Sequence, residues 1–242
     1  MFVHLHTRLT DPAMFAGAVV VVIDALRASV TITAALRNGA REVVPVLTVE
    51  AALAEAAKFP REETILGGER GGVLIDGFDV DNSPEKYTRE RVAHKVVIFT
   101  TTNGTASLLH ARGAAEIVVG SFANISAVCS RVAADPRPVH ILCAGTREEI
   151  SLDDVLPAGA MVDRLLRAGR QFASDDSARI ALAAYRDAVQ QPGGVTSAMR
   201  ASRGGRNLDK IGLGHDIDFC STPDTLPVVP RFDASEGRIT LR

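Results

Sequence analysis

The strongest constraint on the fold is a run of five β-branched residues, Val19 to Ile23, that ends abruptly on Asp24. Such a run has no polar face, so it reads as a strand buried on both sides, as happens when helices cover both faces of a parallel sheet. Similar apolar runs recur at Val43 to Val46, Lys95 to Phe99, Ile117 to Val119 and Val139 to Leu142. Helical patterns alternate with them, over Thr31 to Arg37, Val49 to Lys58, Thr105 to Ala111 and Ile125 to Ala134. This alternation defines an α/β fold with a largely parallel or mixed sheet.

After Ser151 the pattern changes to helices predicted over Ala158 to Ala168 and Ala178 to Gln190. A Gly/Arg/Ser-rich stretch follows from Gly193 to Arg206, then a proline-containing tail from Phe219 to Arg242 that reads as extended. No linker or low-complexity tract divides the 242 residues, so a single domain over 1–242 is expected. A weak internal echo runs through the first half: the segment from Leu36 to Val46 resembles that from His110 to Gly120, 74 positions later. Both read as helix end, glycine cap and strand, which suggests two pseudo-repeated halves, although chance similarity between ordinary α/β units gives the same pattern. In this register Asp24 to Ser29 falls opposite Ile98 to Asn103, so two polar loops at strand ends would face one cleft.

A net charge of −2 with dispersed arginines excludes a dedicated nucleic-acid binder. Cys129, Cys143 and Cys220 form no metal- or redox-type pair, which fits reduced thiols in a cytoplasm. The apolar run from Ala13 to Ile23 is too short to span a bilayer, so neither export nor membrane insertion is expected.

Four segments carry candidate chemistry. In Asp24-Ala-Leu-Arg-Ala-Ser, a strand ends in a carboxylate where a helix begins. Asp24 could ligate a cation, and Arg27 and Ser29 could hold an anion near the helix N-terminus. Asp24 capping the helix and pairing with Arg27 is an equal reading of this loop alone. Leu26 stands where a haloacid-dehalogenase phosphatase has its second aspartate, which disfavours that family.

In Gly67-Gly-Glu-Arg-Gly-Gly, four glycines flank Glu69 and Arg70, which reads as a loop approaching a ligand, or else as a flexible hairpin with a solvated ion pair. Downstream, Asp79 and Asn82 lie in a carboxylate-rich turn leading to Pro84 as the first position of a helix. In the run Thr100, Thr101, Thr102, Asn103, Gly104 and Thr105, the donors exceed what a helix cap needs and read as an oxyanion cradle, without a Walker sequence. After the Val139 to Leu142 run, Cys143 lacks the arginine six positions on that a cysteine-dependent phosphatase needs, Glu149 standing there, so the thiol reads as packing. Asp153 and Asp154, at a helix start, could be cation ligands or simple caps. The six histidines form no metal-spaced set.

Taken together, V-V-I-D-A-L-R-A-S, G-G-E-R-G-G with I-D-G-F-D-V-D-N-S-P, T-T-T-N-G-T, and C-A-G-T-R-E-E with S-L-D-D resemble the 2-phosphosulfolactate phosphatase family. D-I-D-F-C near the C-terminus extends the likeness. The resemblance implies a three-layer α/β/α scaffold and a Mg2+-dependent hydrolase acting on a small anionic phosphate, 2-phospho-3-sulfolactate, in coenzyme M biosynthesis.

On that basis Asp24, Arg27, Glu69 and Arg70 are expected to be catalytic. Ser29, Asn82, Thr101, Thr102, Asn103, Gly104 and Thr105 would bind substrate, and Asp24 and Glu69 would hold magnesium with help from Asp79, Asp153 or Asp154. Direct attack by water and an Asp24 aspartyl-phosphate both stand as mechanisms. A homo-oligomer is compatible, and a non-catalytic metabolite-binding module is the rival reading. Asp76, Ala25 and Val30 depart from the family pattern, which touches substrate identity more than chemistry.

Overall fold

The computed structural model describes residues 1–172 and 176–241. Ten strands form one mixed sheet: β1 Phe2–His4, β2 Val19–Ile23, β3 Glu42–Pro45, β4 Thr64–Arg70, β5 Val73–Leu74, β6 Val96–Thr100, β7 Glu116–Val119, β8 Val139–Cys143, β9 Arg231–Asp233 and β10 Arg238–Thr240. Their spatial order is β1-β8-β2-β7-β9-β10-β3-β6-β4-β5. Strands β1, β8, β2 and β7 are mutually parallel, as are β3, β6 and β4. The antiparallel β9–β10 hairpin joins the two sets. Three successive antiparallel pairings make the two parallel halves run in opposite directions.

The helices are α1 Ala28–Arg37, α2 Val49–Ala56, α3 Arg89–Val92, α4 Gly104–His110, α5 Ile125–Ala133, α6 Leu152–Arg167, α7 Asp176–Gln190, α8 Gly194–Ala201, α9 Arg203–Lys210 and α10 His215–Ser221. They complete a three-layer α/β/α sandwich. All of β2 is buried, and its alternate residues serve two different cores. Val19, Val21 and Ile23 pack with α5, α6 and α7 on one face. Val20 and Val22 pack with Ile32, Leu36 and Leu108 of α1 and α4 on the other.

The two polar loops that the echo sets opposite each other come together. The units β2–α1–β3 and β6–α4–β7 cross between the halves in opposite senses, and their helices begin side by side. A methyl group at Gly104 would stand 2.9 Å from Ala28 Cβ and 2.9 Å from Asp24 Oδ2. Both polar loops therefore reach one cleft, as the echo implies.

Several elements differ from expectation. Helix α6 starts at Leu152, ahead of Pro157, because Ser151 O accepts from the N–H groups of Asp154 and Val155 and acids occupy the first turn. The Gly/Arg/Ser-rich stretch forms α8 and the first half of α9, and the expected extended tail begins inside the last turn of α10 before the hairpin that completes the sheet.

The glycine-flanked segment is partly strand rather than loop, with Gly67 and Gly68 inside β4. Close neighbours explain the glycines. A Cβ at Gly67 would lie 2.3 Å from Tyr87 Oη, and one at Gly68, where φ is +137°, would lie 2.0 Å from Thr100 O. Gly68→Ala is expected to destabilise the protein by about 2–4 kcal/mol, read as a lower urea midpoint, because it combines overlap with a φ that alanine resists.

Candidate active site

A cavity of about 300 Å³ opens where these segments converge, lined among others by Asp24, Arg27, Glu69, Gly72, Asn82, Thr102 and Asn103. Asp24 follows β2 directly and is 9% exposed. Its backbone is fixed on both sides: its N–H donates to Ser29 Oγ at 2.8 Å, and its carbonyl accepts from Ser29 N–H at 2.8 Å. Ser29 thus braces the loop from within α1 and does not line the cavity.

Burial pushes the Asp24 carboxyl up to about 7, aided by the negative charges of Glu69 and Asp153 and opposed by the Ala28 N–H and by Arg27. Such a group lies in the range where acids and ligands at working sites are found.

Glu69 sits at the end of β4, held by three donors. Its Oε1 accepts from Thr102 N–H and Thr102 Oγ1, both at 2.9 Å, and its Oε2 accepts from Gly72 N–H at 2.7 Å. The Thr102 donors expected to cradle an oxyanion are therefore engaged in orienting a carboxylate. Arg27 is fully buried and donates to Asp216 Oδ2 at 2.5 Å and to Gly72 O at 2.7 Å. Two of its five N–H groups are thereby fixed, and others remain for the cavity.

Not every expected site residue reaches the cavity wall. Arg70 turns away from the cavity wall, donating to Glu69 O, Leu47 O and Thr100 Oγ1, and so braces the hairpin. Asp79 is held by Leu66 N–H and by an ion pair with Arg61 at 2.5 Å, and it serves the outer side of β4. Thr101 and Thr105 are buried, and Gly104 is the close-contact point against Asp24.

Asp154 accepts from Ala25 N–H at 2.7 Å and Gly145 N–H at 2.8 Å, tying the β2 loop to the β8 loop. Burial first, then the charges of Asp153 and Asp24, raise its carboxyl well above the ordinary range. Asp153 is buried, accepts from Ser151 Oγ at 2.5 Å and lies against Gly204, where a Cβ would stand 2.8 Å from its Oδ2. Cys143 is fully buried with a thiol pushed well up by burial, which fits a packing role.

Sequence reasoning missed the opposite wall. Arg203, Gly204, Arg206, Asn207 and Lys210 of α9, with Thr146 and Arg147 after β8, complete the cavity. Residues 203, 206, 207 and 210 follow the i, i+3, i+4, i+7 spacing of one helix face. That cationic stripe was visible in the Gly/Arg-rich stretch once the stretch is read as a helix. Arg203 pairs with Glu149, while Arg147 and Lys210 have no side-chain partner among the described residues. Arg70→Ala is accordingly expected to lower kcat/KM by less than about tenfold, and Arg27→Ala by more than about a hundredfold, in a phosphate-release assay.

Two buried oxygens at the site, Asn82 Oδ1 and Thr101 Oγ1, have no hydrogen-bond partner among the described residues. The acidic side offers only oxygen ligands of the hard type that suit Mg2+. Asp24, Glu69 and Asp153 do not crowd to direct ligand spacing. Among the described residues the three side chains that do are Glu85, His215 and Asp216. Two of those are exposed, and the Asp216 oxygens are already engaged by Arg27 and Ser83.

Buried carboxylates at the strand ends of this α/β sheet face an arginine-rich helix across one cavity, a lining that suits an anionic phosphate ester, and the family matched next is one of phosphoric monoester hydrolases. The family model for 2-phosphosulpholactate phosphatase matches residues 5–235, and the chain belongs to that family. It is 40% identical to the "Probable 2-phosphosulfolactate phosphatase" of Symbiobacterium thermophilum over 93% of this chain and 95% of the relative. The protein of the same name from Caldanaerobacter subterraneus subsp. tengcongensis is also 40% identical, over 88% of this chain and 86% of its own. That from Clostridium beijerinckii is 36% identical over 92% and 91%. Among the described residues no helix is long and apolar enough to cross a membrane.

Proposed function

We propose that the protein hydrolyses 2-phospho-3-sulfolactate to 3-sulfolactate and phosphate with the help of Mg2+, as a cytoplasmic step of coenzyme M biosynthesis. The observation that carries this reading is the charge division of one cavity in a chain of this family: carboxylates on one wall, cations on the other. A substrate with a phosphoryl group on the central carbon of a three-carbon chain, flanked by a carboxylate and a sulfonate, matches both walls.

Asp24 and Glu69 would hold the cation, with Asp153 close behind. Their mutual repulsion and the raised Asp24 carboxyl are what a cation between them would relieve. Bound there, Mg2+ would supply Lewis-acid polarisation of the phosphoryl oxygens and an acidified water. The chain's own residues do the rest. Thr102 and Gly72 hold the Glu69 carboxylate in one orientation, and Ser29 holds the Asp24 backbone. Arg27 neutralises negative charge on the phosphoryl oxygens, the principal demand of phosphoryl transfer. Asn82 and Asn103 offer amide groups at the wall, and Arg147, Arg206 and Lys210 attract the carboxylate and sulfonate and so orient the ester.

The test is phosphate release from 2-phospho-3-sulfolactate with Mg2+ and with excess chelator. Rapid release with Mg2+ and none with chelator is expected. Equal rates in both would remove the metal from the account, and tight anion binding with no release in either would remove hydrolysis.

A further inference from the structure

We infer that Asp216 is a positioning residue for turnover, its buried carboxylate setting the Arg27 guanidinium and, through it, the Gly72 turn against the cavity. The inference rests on the hydrolase reading above for what Arg27 does, but not for how Arg27 is held.

Asp216 lies in α10, 189 positions from Arg27 in sequence, yet the two side chains meet at 2.5 Å with 0% and 1% of their surface exposed. Asp216 stands behind Arg27 and does not line the cavity, so its route to the site runs through Arg27. Its other oxygen accepts from Ser83 Oγ at 2.5 Å, which fixes the carboxylate plane and leaves Oδ2 aimed at one guanidinium nitrogen.

Arg27 then donates its second nitrogen to Gly72 O, and Gly72 N–H donates to Glu69 Oε2. Four segments are thus linked in series: the Ser83 turn, α10, the loop after β2 and the hairpin carrying Glu69.

A fully buried ion pair gives little net stability, because removing two charges from water costs nearly as much as their attraction returns. Its value here is geometric. Without a charged partner behind it, a desolvated guanidinium with donors to spare would rotate toward whichever carboxylate is nearest, and Asp24 and Glu69 both line the same cavity. Asp216 keeps Arg27 from pairing with them and keeps its remaining donors pointed at substrate. This also accounts for the D-I-D-F-C segment, whose first aspartate is Asp216.

The test is a cycle in the full-length protein of wild type, Arg27→Ala, Asp216→Asn and the double variant, each checked for folding by circular dichroism. kcat and KM are measured with 2-phospho-3-sulfolactate and Mg2+. Asp216→Asn is expected to lower kcat by about tenfold to a hundredfold with KM changed by less than about fivefold, and the double variant should be no slower than Arg27→Ala alone. Losses that multiply, or Asp216→Asn within about twofold of wild type, would overturn the assignment.

A second readout needs no turnover. Millimolar guanidinium chloride, compared with potassium chloride, should raise the thermal midpoint of Arg27→Ala by filling the vacated place beside Asp216, and should fail to do so in the double variant. Equal rises in both proteins would contradict the role of Asp216. A wild type inactive on the ester would defeat the hydrolase reading and leave this binding arm to decide the present one. Should Asp216→Asn not fold, Ser83→Ala replaces it in the cycle, with a loss non-additive with Arg27→Ala expected and a multiplying loss overturning the assignment.

Discussion

Asp24→Asn is expected to lower turnover of the phosphate ester by at least about a thousandfold while leaving a folded protein, measured as phosphate release alongside circular dichroism. The amide keeps the size of the side chain and an acceptor for the Ala28 N–H, but it removes the charge that would hold the cation. The backbone anchors of this position do not depend on the carboxylate, since the Asp24 N–H and carbonyl both bond to Ser29. The substitution should even stabilise the metal-free protein above neutral pH. In the folded state the carboxyl sits at about 7, against 3.8 ordinarily, so the stability it contributes is fully present below about pH 4 and is lost as pH rises through 7. Replacing it with a neutral amide removes that loss, about 2–4 kcal/mol at pH 8 as an upper range. Turnover within tenfold of wild type would exclude Asp24 from the cation site.

The second large effect is on pH dependence. Because Asp24 must be ionised to hold a cation, its raised carboxyl makes metal binding compete with protonation, and kcat/KM at limiting Mg2+ should fall about tenfold per pH unit below neutrality. Saturating Mg2+ should move this acid limb to lower pH, since the cation favours the ionised form. An acid limb that stays fixed from low to high Mg2+ would show that a group outside the metal site controls it.

How much of this could be read in the chain depends on range. The β2 run and its terminal Asp24 were legible because a strand buried on both faces needs no knowledge of its neighbours. The Asp24 loop, Glu69 and Thr102 were legible as polar residues at strand ends, where α/β folds place their sites.

The placement of Arg70 away from the cavity wall is not legible from its neighbour relation to Glu69, which says nothing about strand direction. In β4 successive side chains point to opposite faces, so only one of the pair could enter the cavity. Gly67 and Gly68 read as a loop approaching a ligand because Tyr87 and Thr100, whose approach requires them, lie far along the chain. The short strands β1, β9 and β10 carry too few residues for a period to register. The cationic wall was hidden because the glycines of Arg203-Gly-Gly-Arg suggest loop, whereas Gly204 and Gly205 sit in α9 to allow contact with Asp153 and with the Met199 carbonyl.

The central claim is that Asp24 and Glu69 share one divalent ion in the cavity. It is tested most directly by anomalous diffraction from crystals of the protein grown with Mn2+ and 3-sulfolactate. The account predicts a manganese peak in the cavity beside Asp24 and Glu69, with the sulfolactate anions on the side of Arg147, Arg206 and Lys210. A peak at Glu85, His215 and Asp216 instead, with nothing between Asp24 and Glu69, would contradict it.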